Sequence, residues 1–164
     1  MNDMTIHHLL RLMQVKRYGI FHMNRDQSVA EHSFNVAMIA LELIADEDEL
    51  GLQTEVMTYA LFHDMDEVLS GDIPSPFKRK LRTQCPEVIP VLDGHPKVSD
   101  KVRNIVKLAD MLEAIHYCRE FGGSRASDEV LEDVLMKFTE TLKWIGSKVP
   151  ESVIKKAKWL EQVL

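Results

Sequence analysis

Cysteine is scarce in this sequence, which holds only Cys85 and Cys118 and no CxxC motif. Two cysteines are too few for the disulfide framework of a small secreted protein. The N-terminus lacks the basic start and apolar block of a signal peptide, and no apolar run approaches the ~20 residues of a membrane-spanning helix. We therefore expect a cytoplasmic protein with reduced thiols and no membrane partner.

Basic residues are also in deficit, because 20 Lys and Arg face 26 Asp and Glu, for a formal net charge of −6. This balance argues against a protein that coats nucleic acid, so we expect no polymeric nucleic acid as a partner. Small anionic ligands remain open, since they need only a local basic patch.

Strand-like alternation, internal repeats and low-complexity segments are absent, and apolar residues recur instead at helical spacing. The predicted helices cover about 5–18, 28–45, 55–69, 99–120, 131–145 and 150–164. Ser28 with Glu31, then Thr54 and Ser99, provide N-cap signals for three of them. The 164 residues, 45% of them hydrophobic, can bury a sizeable core. We predict a single all-α domain, residues 1–164, built as a bundle of about six to seven helices.

Four potential metal ligands lie on three of these predicted helices. His63 and Asp64 are adjacent within an apolar segment, His32 faces the apolar stripe of its helix, and Asp110 lies near the stripe of another. Buried charges and imidazoles are costly without partners, and a lone inward histidine is more often a satisfied core residue. Two imidazoles and two carboxylates together favour Mn²⁺, Co²⁺, Ni²⁺, Fe²⁺ or Zn²⁺ over Ca²⁺.

The order and local sequence of these ligands resemble the HD-domain phosphohydrolases. The pattern H…HD…D is matched by His32, His63-Asp64 and Asp110. The local sequence around the His63-Asp64 pair, which runs through Glu67, Gly71 and Asp72 to Pro76, is similar to that of the bacterial 5′-deoxynucleotidase group. It is also similar to that of the compact phage dATP triphosphohydrolases. The resemblance covers roughly residues 8–118 and implies a helical HD fold with hydrolase activity on nucleotides.

The resemblance also implies roles for individual residues. The metal ligands would be His32, His63, Asp64 and Asp110. Glu67 would position or deprotonate the attacking water, or protonate the leaving group, and Asp72 would lie beside the sugar. Arg17 and Tyr18 correspond to an Arg-Trp pair that orients phosphate and packs on the nucleoside, with Tyr here in place of Trp. Asp93 and His95 match a pocket-lining stretch.

The number of phosphates on the substrate can be judged from the cations that could bind them. A monophosphatase needs one phosphate pocket, whereas a triphosphohydrolase needs several cations for three phosphates. The candidate phosphate-binding residues are Lys78, Arg79, Lys80, Arg82 and Lys97. Although a basic run is usually a solvated helix face, this one follows directly after the loop that contains Asp72. Together with the compact length, which resembles the phage enzymes, this basic run favours hydrolysis of dATP, or another dNTP, to deoxynucleoside and triphosphate. Additional Mg²⁺ or Mn²⁺ could accompany the phosphates. The resemblance also implies that the chain assembles as a homo-oligomer.

Three alternatives to a triphosphohydrolase remain. A 5′-deoxynucleotidase would release deoxynucleoside and phosphate from a dNMP. A two-iron oxygenase of the same fold would need further histidines between the HD pair and Asp110, where only His95 lies. A nucleotide-binding regulator without catalysis would have no need of Glu67.

Overall fold

Eight α-helical segments account for most of the residues that the computed structural model describes, which are 6–88 and 94–164. They are α1 Ile6–Arg11, α2 Val29–Leu43, α3 Leu52–Phe62, α4 Glu67–Ser70, α5 Ser75–Gln84, α6 Asp100–Phe121, α7 Arg125–Ile145 and α8 Glu151–Val163. Seven of them have six residues or more, and no strand occurs within the described ranges. The predicted all-α class and number of helices are confirmed.

Helix α6 lies at the centre of the molecule and packs against α2, α3, α7 and α8. Its apolar residues at helical spacing, including Val102, Ile105 and Leu112, are completely buried. Each such side chain contributes on the order of 1.5–3 kcal/mol by leaving water. Because α2 and α3 pack on each other as well as on α6, the three segments that carry the predicted ligands form one tightly packed group.

Two of the predicted helix starts follow from side-chain caps. The Ser28 side chain accepts a hydrogen bond from the Glu31 backbone N–H, and Ser99 accepts one from Val102. Each bond satisfies one of the backbone donors left free at a helix start. The Glu31 side chain forms an ion pair with Arg25 on the surface. These caps fix where α2 and α6 begin, and hence the facing of His32 and Asp110.

The first predicted helix, 5–18, is wrong in its length. Helix α1 ends at Arg11, and a 3-10 turn, Leu12–Gln14, closes it. Val15 then adopts an extended conformation, and its carbonyl accepts from the Val29 backbone N–H while Arg17 N–H donates to Gln27 O. This backbone pairing competes successfully with a continued helix, because it satisfies the same polar groups. It also brings Arg17 beside the start of α2.

The predicted helix over 55–69 is also wrong, because it is interrupted where the HD pair lies. Helix α3 begins after Gly51, which has a φ of 84°, rather than after Thr54, and it ends at Phe62. A turn carries His63 and Asp64, and α4 begins at Glu67. His63 and Asp64, both predicted ligands, therefore lie in a turn between two helices. Among the described residues, no helix combines the length and apolar character needed to cross a membrane.

Candidate functional site

The four predicted metal ligands converge beside the centre of the bundle. One ligand atom from each of His32, His63 and Asp110 lies within 4.8 Å of the others. Asp64 is adjacent, with its Oδ2 3.2 Å from Nε2 of His63 and 3.6 Å from Nε2 of His32. Residues that are far apart in sequence thus place two imidazoles and two carboxylates around one point.

The buried imidazole nitrogens at this point test whether a cation fits. Nε2 of His32 and Nε2 of His63 are both buried. A carboxylate oxygen lies 3.2 Å from each, but neither nitrogen makes a well-directed hydrogen bond among the described residues. Buried polar atoms are rarely left unpaired, and the unshared pair of a neutral imidazole is a strong ligand for transition metals. The donor set therefore fits a divalent metal ion.

The orientation of His32 depends on Glu113, which sequence reasoning missed. Oε2 of this fully buried carboxylate lies 2.6 Å from Nδ1 of His32. Burial raises the pKa of Glu113, but His32, Arg17 and Asn35 together outweigh burial and lower the value to about 2. An ionised carboxylate only accepts hydrogen bonds, so the ring proton belongs on Nδ1. That tautomer leaves Nε2 free to face Asp110, whose Oδ1 is 3.2 Å away.

The charges of the cluster are strongly coupled. Burial lowers the pKa of His63, but the adjacent Asp64 carboxylate outweighs it and raises the value to about 9. Burial raises the pKa of Asp64, yet His63 and His32 hold it far below its usual range. In the absence of a metal ion, the ionised carboxylates therefore favour protonated imidazoles. A divalent cation would take the place of those protons, because it binds the neutral imidazole.

Glu67 lies next to this cluster at the start of α4 and is buried. Its Oε1 accepts a hydrogen bond of 2.9 Å from Lys78 Nζ, whereas its buried Oε2 has no partner among the described residues. Burial and the negative charge of Asp64 raise the pKa of Glu67 to about 7, although Lys78 opposes the change. A carboxyl group whose pKa lies near neutral pH, and which has one oxygen without a hydrogen-bond partner, is suited to general acid–base chemistry.

An apolar pocket of about 740 Å³ opens on one side of Asp110. Its apolar lining consists mainly of Tyr18, Ile20, Phe21, Phe77, Met111 and Val134. Arg17 and Asp72 are among its polar residues. A concave, mainly apolar pocket with a few polar groups is typical of a site for an organic ligand.

Tyr18 is held in this pocket by an unusual backbone conformation. Its φ is 57°, which is uncommon for a residue other than glycine. Its backbone N–H donates to Oδ2 of Asp72 at 2.9 Å, and its ring stacks on Tyr117 with 5.4 Å between the ring centroids. Arg17 is fixed next to it by a 3.0 Å ion pair with Glu113 and a 2.9 Å bond to Gln27. Three predicted substrate contacts are thus held in fixed positions at the pocket wall.

Asp110 also lines a second pocket, of about 860 Å³, which is strongly basic. We call it the cationic pocket. Its cations are Lys78, Arg79, Arg82, Arg103, Lys107 and Lys148. His63 and Asp64 also line this pocket. It therefore directly adjoins the four predicted metal ligands, which we call the ligand cluster. Three of its six cations belong to the basic run singled out in the sequence.

The remaining predicted phosphate contacts lie outside both pockets. Lys80 and Lys97 are exposed and line neither wall. His95 Nε2 lies 2.9 Å from Oδ2 of Asp66, where it connects the segment before α6 to the turn after the HD pair. Asp93 falls outside the described residues. The roles assigned to these residues remain predictions.

Comparison with known proteins identifies the family. The family model described as 5′-deoxynucleotidase YfbR-like matches residues 5–89, slightly more than half of the chain. The chain belongs to the YfbR-like family of HD phosphohydrolases. The matched segment contains His32, the HD pair and Glu67, while Asp110 lies beyond it.

Relatives and a solved structure extend the likeness over the rest of the chain. A dATP triphosphohydrolase of Salmonella phage PMBT28 is 32% identical, with 87% of this chain and 80% of the phage protein covered. The 5′-deoxynucleotidase YfbR of Escherichia coli O1:K1 / APEC is also 32% identical, over 69% of this chain and 70% of that protein. The cyanophage S-2L HD phosphohydrolase DatZ, solved with dA and one catalytic Zn²⁺ ion, has a TM-score of 0.86 at 19% identity, covering 99% and 96% of the two chains.

Three basic residues of the cationic pocket in this YfbR-like chain had not been singled out in the sequence. Arg103 and Lys107 are one helical turn apart on α6, and Asp110 follows after three more residues. This i, i+4, i+7 spacing puts all three on one face, so the sequence did contain a signal for them. Lys148 follows the end of α7 and carried no such signal, because only the packing of α7 on α6 brings it to the pocket.

Proposed function

We propose that this protein is a metal-dependent phosphohydrolase of 2′-deoxynucleotides, and that its favoured substrate is dATP. In this reaction water attacks the α-phosphorus, the bond from phosphorus to the 5′-oxygen breaks, and deoxyadenosine and triphosphate are released. The phage dATP triphosphohydrolase among the relatives supports the substrate, and DatZ, solved with dA, supports the nucleoside.

One observation carries the proposal: an apolar pocket and a cationic pocket meet at Asp110, within the ligand cluster. A nucleoside needs apolar surface with few polar groups, whereas phosphates need cations that donate hydrogen bonds. A nucleotide spanning both pockets would have its α-phosphate at the junction. The scissile bond would then lie beside His63, Asp64 and Asp110.

The proposed metal site uses His32, His63, Asp64 and Asp110 as ligands, and the candidate ions are Zn²⁺, Mn²⁺, Co²⁺, Ni²⁺ or Fe²⁺. A bound divalent ion would supply a Lewis acid that lowers the pKa of water and polarises the phosphoryl group. The Zn²⁺ in DatZ supports zinc as one choice. Additional Mg²⁺ or Mn²⁺ on the substrate phosphates is part of the proposal.

The chain's own residues would orient the reactants. Oε2 of Glu67, which has no partner among the described residues, can accept the proton of the attacking water or protonate the 5′-oxygen. Tyr18 would pack on the nucleoside, with its backbone held by Asp72. Asp72 lines the apolar pocket near that backbone and would lie beside the sugar. Arg17, held by Glu113, would face the α-phosphate.

A 5′-deoxynucleotidase is the second candidate, and the family description together with the YfbR relative favours it. A monophosphate has one phosphate to bind, so it would leave most of the cationic pocket without a ligand. The six cations of that pocket favour a longer phosphate chain. The triphosphate is therefore preferred.

The test is a panel of all four dNTPs and dNMPs with Mn²⁺, Co²⁺, Zn²⁺ and Mg²⁺, in which phosphate and tripolyphosphate are measured separately. Triphosphate release from dATP with little turnover of dAMP is the expected result. Phosphate release from dNMPs without triphosphate from any dNTP would replace the proposal by the deoxynucleotidase. Oxygen-dependent turnover with two irons bound would point to the oxygenase instead.

The metal centre has its own test in His63→Ala and Asp110→Ala. We expect each to abolish turnover and to lower bound metal, because each removes a ligand contributed by a different segment. Circular dichroism checks that the helices persist, and elemental analysis gives the metal content. Full activity of a metal-depleted Asp110→Ala protein would contradict the metal site.

A further inference from the structure

The cationic pocket contains more positive charge than its carboxylates neutralise. Within the described residues, Arg79, Arg82, Lys107 and Lys148 have no carboxylate partner, while Lys78 pairs with Glu67 and Arg103 with Asp100. Unpaired cations of one sign around a concavity concentrate anions there. The local excess is notable because the whole chain has a net charge of −6.

The cations come from three separate parts of the fold. Lys78, Arg79 and Arg82 lie on α5, Arg103 and Lys107 on α6, and Lys148 after the end of α7. A basic run on one helix would be an ordinary solvated face, but converging groups enclose a ligand from several sides. The pocket volume of about 860 Å³ is that of a ligand site.

Two of the unpaired cations rest on Trp144, which also lines this pocket. Lys148 Nζ lies 3.2 Å and Lys107 Nζ 5.4 Å from the centre of its ring. A cation–π contact at an exposed site is weaker than a hydrogen bond to a charged group. A phosphate chain in the pocket can therefore draw both lysines away from the ring.

We propose that the cationic pocket is a polyphosphate-binding site in its own right, which takes free inorganic tripolyphosphate without a nucleoside. Lys107 and Lys148 are its outer contacts. The inference deepens the proposed function, on which it rests: triphosphate released from dATP would remain in this pocket and compete with the next dATP. Binding would also change the environment of Trp144.

The first experiment measures calorimetric binding of orthophosphate, pyrophosphate and tripolyphosphate to the intact protein at constant ionic strength. Affinity should rise with phosphate number. Lys107→Gln combined with Lys148→Gln should raise the tripolyphosphate Kd by ~10-fold or more, since a factor of ten corresponds to ~1.4 kcal/mol. Both side chains are exposed, so the fold should tolerate the changes.

The matched control is Lys143→Gln combined with Lys155→Gln, which removes the same charge from exposed positions outside the pocket. This variant should bind tripolyphosphate nearly as the wild type does. Equal weakening by both double variants would mean that only overall charge matters, and no weakening by either would mean that the pocket is not the site. Each of these results overturns the proposal.

The second experiment follows the emission of Trp144 in a Trp159→Phe background, because these are the only two tryptophans. Tripolyphosphate should change the emission with the calorimetric Kd, and the change should disappear when Lys107 and Lys148 are replaced. Tripolyphosphate also chelates metals, so EDTA is added in a parallel titration. An identical change with EDTA, or none with tripolyphosphate, overturns the proposal.

Kinetics separates this inference from the proposed function. Tripolyphosphate should inhibit dATP turnover competitively. If the protein does not hydrolyse dATP but tripolyphosphate binding depends on Lys107 and Lys148, the polyphosphate site is supported and the proposed function is refuted. If dATP is hydrolysed while tripolyphosphate binding does not depend on either lysine, the proposed function is supported and the polyphosphate site is refuted.

Discussion

The carboxylate of Glu113 accepts hydrogen bonds from four different side chains. Oε2 receives Nδ1–H of His32 and a guanidinium N–H of Arg17, while Oε1 receives the side-chain amides of Gln27 and Asn35. The carboxylate is fully buried, so these bonds replace its hydration. One residue therefore orients both His32, a proposed metal ligand, and Arg17, a proposed substrate contact.

Glu113→Gln should weaken metal binding by about 10–100-fold, the usual effect of losing the group that orients a histidine ligand. The amide has almost the same shape, but its NH₂ group cannot accept from the donors around it. The measurement is zinc affinity by competition with a chromophoric chelator, alongside the melting temperature.

Asn35→Ala is the control for this variant. It removes a donor from Oε1 of Glu113 and leaves the bond to His32 intact. Stability should fall slightly while zinc affinity stays within a few-fold of wild type. If Glu113→Gln kept its full zinc affinity, or Asn35→Ala weakened it as much, the orienting role would be wrong.

The pH dependence of turnover should reveal the role of Glu67. Lys78 lowers the pKa of this carboxyl group through a 2.9 Å bond, so Lys78→Gln should raise that pKa further above its ordinary value. If Glu67 acts as a base, the acidic limb of the kcat/KM profile moves to higher pH, by about one pH unit. If it acts as an acid, the alkaline limb moves upward instead.

Arg82→Gln is the comparison here. Arg82 lines the same pocket, but within the described part of the chain it is Lys78 that donates to Glu67. The Arg82→Gln profile should keep both limbs in place while the KM for dATP rises. A Lys78→Gln profile with unmoved limbs would remove Glu67 from the proton transfers.

The sequence predicted the four residues that converge at the candidate metal site more completely than the residues that surround them. His32 and Asp110 could be found because they interrupt apolar stripes, where a lone polar group is costly. Glu113 lies three residues after Asp110 and looks like an ordinary helix carboxylate. Its burial depends on Arg17, Gln27 and Asn35 arriving from elsewhere in the chain, which no local pattern encodes.

At the scale of whole elements, the sequence predicted that helices form in these segments, but it did not predict where a helix is interrupted. Caps at Ser28 and Ser99 and the apolar stripes located α2 and α6 correctly. The break after Phe62 has no proline or glycine to announce it. It follows from burial of Met65 and Val68 against Leu12 and Val29, a small second core away from the main one. Tertiary packing overrides local propensity there.

The turn between α6 and α7 depends on Gly122. A Cβ added there would lie 2.3 Å from the Cys118 carbonyl oxygen and 3.1 Å from Oγ of Ser127. Gly122→Ala should therefore destabilise the fold by about 1–3 kcal/mol, measured as a shift of the urea midpoint.

Gly146→Ala provides the matched comparison at the end of α7. Its backbone is helical, with a φ of −50°, and an added Cβ meets only ordinary contacts of 3.4 Å or more. Alanine there should stabilise by about 0.4–1 kcal/mol through the unfolded chain. Equal shifts of the midpoint for the two variants would disprove the steric argument for Gly122.

For the molecule as a whole, the important property is the separation of charge. An acidic chain of net charge −6 keeps six cations around one pocket. Exposed charges are screened beyond about 8 Å at physiological ionic strength. The KM for dATP should therefore rise with added KCl more steeply than the KM for any residual dAMP turnover.

The variant with Lys78, Arg79, Lys80 and Arg82 all changed to Gln should flatten this salt dependence for dATP, and steady-state kinetics at several KCl concentrations measures it. Its KM for dATP at low salt should rise by ~10-fold or more for each of these cations that binds a phosphate in the wild type. A parallel rise for dATP and dAMP would assign the salt effect to the metal centre.

Because Asp110 belongs to the walls of both pockets, two weak ligands bound there would almost touch. A nucleoside mimic and a small polyanion joined by a short tether could then occupy both pockets at once. Tethering makes the second binding event intramolecular, and a linker that matches the span can raise avidity by about 10²–10⁴-fold. The shared wall makes this enzyme a natural target for inhibitors assembled from fragments.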